Sequence, residues 1–242
     1  MDKDFASLAA GFCRRVICAA YPPRCVLCGS PGFDDMDICI RCYLDLPWIT
    51  SACTQCALPL AAPRDDQLKC GQCQQAPPVF DHSISLFRYQ GDAVRLIHQL
   101  KFHAKLANSR LLGKLLATAI MQRDCGLPDC IVPVPLSKKR LRQRGFNQSA
   151  ELARAVSQNC PIPLNLHAIA RARDTRAQTG LHRQQRLQNI RGAFVQVGAM
   201  DAGHVAILDD VVTTGSTVNE LARVLKQAGV ERVDVWSIAR AG

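Results

Sequence analysis

Aromatic side chains are scarce: Phe, Trp and Tyr make up 5% of the 242 residues, with two Trp and three Tyr. Surfaces that stack runs of single-stranded bases draw on several aromatics, so a pure stacking platform is disfavoured. No apolar run approaches the roughly 18–20 residues that cross a bilayer, which excludes a membrane-spanning helix. An export signal is also missing. Phe5–Ala20 is fairly apolar, but Asp2 and Asp4 make its start acidic, and Arg14 and Arg15 interrupt it. Phe5, Leu8, Phe12 and Val16 recur at three-to-four spacing and predict an amphipathic packing helix over 1–22. A cytoplasmic location is therefore expected, where thiols stay reduced. At 48% hydrophobic residues the chain can bury a core, which excludes general disorder.

Acidic residues are nearly missing from one stretch. Between Ile131 and Val195 twelve lysines and arginines face only Glu151 and Asp174, so this stretch carries the whole formal charge of +10. Positive charge confined in this way attracts phosphates, on a small molecule or on a nucleic acid.

Cysteine, by contrast, is abundant and clustered. Eight of the thirteen form four Cys-x-x-Cys pairs: Cys25/Cys28, Cys39/Cys42, Cys53/Cys56 and Cys70/Cys73. Each pair places two thiolates within reach of one metal, and two pairs complete a tetrahedral shell. In a reduced compartment this predicts two structural zinc ions in a segment, 23–75, too small to support a core of its own. Sequential pairing closes loops of 10 and 13 residues and is the favoured arrangement. Ten residues also separate Cys42 from Cys53, so a cross-braced arrangement stays open. With all eight thiolates used, neither metal has an open position for catalysis.

Ala76, Pro77 and Pro78 mark a boundary before a main domain over 79–242. A strand is expected at His82–Tyr89, then a helix with Val94, Ile97 and Leu100 on one face. A second helix runs from about Leu106 to Gln122. Ile131–Pro135 is a short buried strand stopped by its prolines, followed by a basic loop from Ser137 to Gly145 and a helix opening near Asn147. Strand, loop, helix, strand is the pattern of an α/β domain with a parallel sheet. Ligands in such domains bind outside the carboxyl ends of the strands, which puts Ser137–Gly145 at the rim of a site.

The most informative segment is Val205–Thr217. Four apolar residues make a central strand, with Asp209 and Asp210 at its carboxyl end. Val211, Val212, Thr213, Thr214, Gly215, Ser216 and Thr217 then lead into a helix with Val218, Leu221, Ala222 and Leu225 on one face, ending at Gly229. Backbone N–H groups at a helix N-terminus cradle a phosphate, and Gly215 lets the backbone approach it. The four hydroxyls add donors. Asp209 and Asp210, the candidate catalytic residues, suit a ribose hydroxyl pair, directly or through Mg²⁺. The segment is a ribose-5-phosphate clamp in outline, and it is not a Walker loop, since no Gly-Lys-Ser/Thr follows.

All thirteen positions of Val205–Thr217 resemble the phosphoribosyl pyrophosphate signature of type I phosphoribosyltransferases. Pro133–Leu136, with Arg140, Arg142, Arg144–Gln148, Leu152 and Ala153, resembles the ComF family. So do Arg171, Arg173, Thr175, Gln178 and Leu181, with Arg186, Asn189 and Gly192–Phe194. The cysteine-rich front end is that family's layout as well. The resemblance implies an α/β phosphoribosyltransferase-like parallel sheet flanked by helices, preceded by a Cys₄ zinc-ribbon domain. It implies a pyrophosphate loop at Leu136–Arg144 and a closing loop at Arg173–Asn189. The corresponding pyrophosphate- or DNA-binding residues are Ser137, Lys138, Lys139, Arg140, Arg142, Arg144, Arg173, Arg176, Arg183 and Arg186.

Three functions follow as expectations. The first is a competence-related DNA-uptake factor that binds single-stranded or branched DNA and carries a phosphoribosyl pyrophosphate-type site with Mg²⁺. The second is an active phosphoribosyltransferase on an unidentified acceptor. The third is a zinc-ribbon adaptor that docks a partner such as a DNA helicase or another competence protein.

Overall fold

The computed structural model describes residues 22–61, 68–123, 126–173 and 190–242. The expected helix over 1–22 lies outside them, apart from its last residue. The chain divides into a small unit ending at Leu46 and a main unit from Pro47 to Gly242, a division that falls inside the cysteine-rich segment.

The small unit is built around a metal knuckle. Gly29 donates to the Cys25 carbonyl at 2.8 Å and holds φ at +79°, a left-handed value that suits glycine. A short helix, α1 (Ile40–Leu44), starts at Cys39, whose Sγ accepts from the Cys42 N–H at 3.5 Å. Ile38 is fully buried.

The main unit opens with a second knuckle and helix α2 (Gly71–Gln75). There follow β1 (His82–Arg88), α3 (Gly91–His103), α4 (Leu106–Met121), β2 (Cys130–Pro133), α5 (Lys138–Arg144) and α6 (Gln148–Ser157). The remaining elements are β3 (Ile169–Arg171), β4 (Phe194–Gln196), β5 (His204–Val212), α7 (Ser216–Gln227) and β6 (Arg232–Arg240). Four strands form a parallel sheet in the order β1-β6-β5-β2, and β3 and β4 pair antiparallel beside it. The α/β class read from the sequence is the observed one.

Both faces of the sheet are covered, so its central strands β5 and β6 are buried along most of their length. Val205, Ala206, Ile207 and Leu208 of β5 are fully buried, and Leu208 pairs in register with Trp236 of β6. On one face α7 packs Val218, Leu221, Ala222 and Leu225, the stripe read from the sequence, against β3, β4 and the sheet. On the other, α4 and α6 approach closely at Gly113. A Cβ there would lie 2.4 Å from the Ala155 Cβ, so only glycine fits.

Two expectations need correction. Ser137–Gly145 is not a loop: Lys138–Arg144 is helical, capped by the Ser137 hydroxyl, which accepts from the Arg140 N–H at 3.4 Å, and closed by Gly145 at φ +80°. The β5 strand also does not stop before its carboxylates. It runs through Asp209 and Asp210 to Val212, because β6 keeps pairing as far as Arg240.

Candidate sugar-phosphate site and metal centres

β2 and β5 are neighbours, with Pro133 opposite Leu208 and the Val134 N–H bonded to the Leu208 carbonyl at 2.9 Å. The segments that leave their carboxyl ends therefore converge. Between them lies a cavity of about 740 Å³, within the usual range of small-molecule sites. Every residue from Asp209 to Val218 lines it.

The turn is organised by Gly215, which caps α7 at φ +76°. Nothing lies within 4 Å of where its Cβ would be, so the requirement is conformational rather than steric. Beyond it α7 opens with the Ser216 N–H donating to the Thr214 hydroxyl at 3.4 Å, and the positive end of the helix dipole points at the turn, a setting that suits an anion. The Thr214 and Ser216 hydroxyls share a hydrogen bond of 2.7 Å, and Ser216 is buried.

The two carboxylates stand in different environments. Asp210 is buried and forms an ion pair with Lys101, near the end of α3. Burial acts to lower the Lys101 pKa, but Asp210 overrides it and holds the ammonium above its ordinary value. Asp209 is half-buried. Its Oδ1 accepts from the Ser149 hydroxyl at 3.0 Å and from the Asp210 N–H at 2.9 Å. Loss of water at the strand end, with the Asp210 charge beside it, pushes Asp209 up to about 7. Near neutral pH this carboxyl is poised between its two protonation states.

Helix α5 splits the basic run into two faces. Arg140 and Arg144, one turn apart, line the cavity. Lys138, Lys139 and Arg142 are exposed and turn away from it. Arg144 donates to Gln148 Oε1 at 2.6 Å, and its guanidinium lies 5.4 Å from the Phe102 ring centre. Arg171 also reaches the cavity and lies over Phe194. Tyr89, Phe102 and Phe146 also line it.

The eight cysteines assemble as two groups, Cys25/Cys28/Cys39/Cys42 and Cys53/Cys56/Cys70/Cys73, with all Sγ atoms in each group within 4.8 Å of one another. Sequential pairing is thus the observed arrangement, not the cross-braced one. Cys28 and Cys39 are 3.6 Å apart at sulfur, and Cys56 and Cys70 are 3.7 Å apart. Sulfurs held tetrahedrally at about 2.3 Å from zinc stand at about this separation, so the donor sets fit the ion. In the second group burial opposes ionisation of Cys53, but the backbone N–H groups of Cys70, Cys56 and Gln55 bring it down to about 7. Burial lifts Cys56 to about 11. A bound cation would hold both as thiolates.

A family model described as a double zinc ribbon domain matches residues 16–74. Over 224 residues the chain is 37% identical to DNA utilization protein YhgH of Salmonella typhimurium, covering 90% of this chain and 97% of that protein. It is 35% identical to competence protein F of Haemophilus influenzae, covering 71% and 78% respectively. The chain belongs to the ComF family. Among solved structures it is similar to the glutamine phosphoribosylpyrophosphate amidotransferase of B. subtilis, at 22% identity and a TM-score of 0.35, over 53% of this chain and 25% of that one. This ComF-family chain combines a double zinc ribbon segment, with its two four-cysteine groups, and an α/β unit built on a parallel sheet.

In the ComF-family chain the predicted site residues do not all fall together. Asp209–Thr217, Arg140 and Arg144 share the cavity. The Ser137 side chain is used as a helix cap, and Arg173 is exposed and donates to the Arg191 carbonyl. Arg176, Arg183 and Arg186 lie outside the described residues. Lys101, Ser149 and Arg171 also line the site. Lys101 and Ser149 sit in ordinary helical patterns, while Arg171 belongs to the family-like stretch without being one of the binding residues that the resemblance implies.

Proposed function

We propose that this chain is a cytoplasmic DNA-utilization factor with two adjoining binding surfaces. One holds a phosphoribosyl pyrophosphate-type sugar phosphate, and the other contacts single-stranded or branched DNA. The observation that carries the first part is the convergence, in one cavity, of the Gly215 turn, the Asp209/Asp210 pair and two arginines. The amides and hydroxyls of Thr213–Thr217 take the 5-phosphate. Asp209 and Asp210 face the ribose hydroxyls, and Arg140 and Arg144 take the diphosphate. A carboxylate crowded by a second one in a desolvated place is also a suitable donor for Mg²⁺, which relieves that crowding.

The outward face of α5 supports the second part. Lys138, Lys139 and Arg142 are exposed on one short helix, free of the cavity. Relatives named for DNA utilization and for competence agree with this reading. Three phosphate contacts to a single strand give an affinity that falls with salt at a log–log slope of about −2. Gel-shift titrations with K138E/K139E/R142E test it. Binding should weaken strongly and lose most of its salt dependence, and unchanged binding would refute it.

One observation favours a second reading, an active transferase. Tyr89, Phe102 and Phe146 line the same cavity and offer flat surfaces to a ring-shaped acceptor. In that reaction an acceptor nucleophile bonds to C1 of the sugar as the C1–oxygen bond breaks and diphosphate leaves. Diphosphate release that depends on an added acceptor is the measurement that separates the two readings.

A further inference from the structure

Arg240 ends β6, is 7% exposed and does not line the cavity. Its Nε donates to the Cys56 carbonyl at 2.9 Å. Its Nη1 donates to the Val212 carbonyl at 3.2 Å and to the carbonyls of Thr213 and Ala241. All of these partners are backbone carbonyls. Two belong to the segment that forms the phosphate turn, and one belongs to a ligand of the second metal group.

The planar trans peptide gives these contacts a consequence. The carbonyl of one residue and the N–H of the next point in opposite directions. The Thr213 carbonyl is drawn onto Arg240, and the Val212 carbonyl onto Arg240 and the Ala241 N–H at 3.0 Å, which turns the N–H groups of Thr213 and Thr214 to the other side. Both threonines line the cavity. A rigid guanidinium fork can hold separate acceptors at once, which a lysine ammonium on a flexible stem does poorly.

The Nε side of the guanidinium is anchored on the knuckle. Cys56 packs against the main core while also belonging to the second Cys₄ group. The next residue, Ala57, is buried with φ at +55°, and its N–H bonds to the Cys53 carbonyl at 2.8 Å. A left-handed alanine persists only where its surroundings hold it, and here the bond to Cys53 within the knuckle supplies that hold.

We infer that Arg240 is a positioning residue through which metal occupancy of the second Cys₄ group sets the affinity of the phosphate turn. With that group loaded, the Cys56 carbonyl is fixed, the guanidinium is fixed on it, and the amides of Thr213 and Thr214 face the anion. This rests on the sugar-phosphate reading of the cavity. It implies that thiol oxidation or chelation at the knuckle weakens phosphate binding without altering any cavity residue.

The test uses the full-length, zinc-loaded chain as wild type, Arg240→Lys and Arg240→Met. Hydrogen exchange is followed by mass spectrometry over 211–217 and over 232–238, and phosphoribosyl pyrophosphate with Mg²⁺ is titrated by calorimetry. Both variants should keep their zinc, exchange faster over 211–217 only, and bind about tenfold more weakly, the worth of roughly one charge-assisted hydrogen bond. Cys53→Ser, which opens the second group, should reproduce this in the wild type and add little to Arg240→Met, since coupled sites are not additive. Unchanged exchange over 211–217 in both variants, equal acceleration over 232–238, or full additivity with Cys53→Ser would overturn the inference. A wild-type chain that binds no ligand refutes the sugar-phosphate reading, while the exchange measurements still decide the coupling.

Discussion

Lys101→Met is the most revealing single change. The Lys101 side chain is 21% exposed and that of Asp210 is 5% exposed, so the substitution strands a carboxylate inside the main unit. Removing one partner of a buried ion pair costs about 3–5 kcal/mol, and the partial exposure of Lys101 puts this case near 3 kcal/mol. In a unit of this size each kcal/mol moves the melting temperature by about 2–4 °C, so Tm should fall by about 6–12 °C. Adding Asp210→Asn removes the stranded charge and should recover most of that loss. Scanning calorimetry of the wild type, both single variants and the double variant measures the coupling. The substitution also removes the cation that restrains Asp209, so Asp209 should titrate above its present value of about 7. A loss under about 1 kcal/mol, the value of a solvated surface pair, would refute the reasoning. So would a double variant no more stable than Lys101→Met alone.

Other consequences are equally direct. Because folding raises Asp209 from 3.8 to about 7, the native state holds that proton longer than the unfolded chain, and its contribution to stability declines as pH rises between those values. On the proposed reading, ligand binding through Mg²⁺ would need the ionised form, so calorimetric affinity should rise with pH to about 7 and then level off, and Asp209→Asn should flatten the profile. Gly113→Ala forces α4 and α6 apart and should cost about 1–3 kcal/mol by urea denaturation. Plasma mass spectrometry should find two zinc ions per wild-type chain, and Cys25→Ser with Cys28→Ser should lower the count to one.

Much of this was legible because the signals were local. β5, its turn and α7 follow one another without interruption, and the Cys-x-x-Cys pairs carry their own geometry. The helical state of Lys138–Arg144 was hidden because a run with Leu141 as its one apolar residue has no amphipathic period. Its signals were the caps, Ser137 and Gly145. Lys101 showed nothing distinctive, since its partner Asp210 lies on strand β5, far along the chain. Arg240 is the extreme case. It reaches Cys56, 184 positions away, and the turn, 27 and 28 positions away, so no window of sequence contains the reason it is buried.

The central claim is that the cavity at the end of β5 holds a sugar phosphate by its 5-phosphate. Phosphorus NMR of phosphoribosyl pyrophosphate with Mg²⁺, titrated with the protein, resolves that phosphate from the diphosphate. The 5-phosphate resonance should shift and broaden on addition of the wild-type chain, and much less with Gly215→Ala, whose left-handed turn is strained. Resonances that stay in place throughout, or a response confined to the diphosphate, would contradict it.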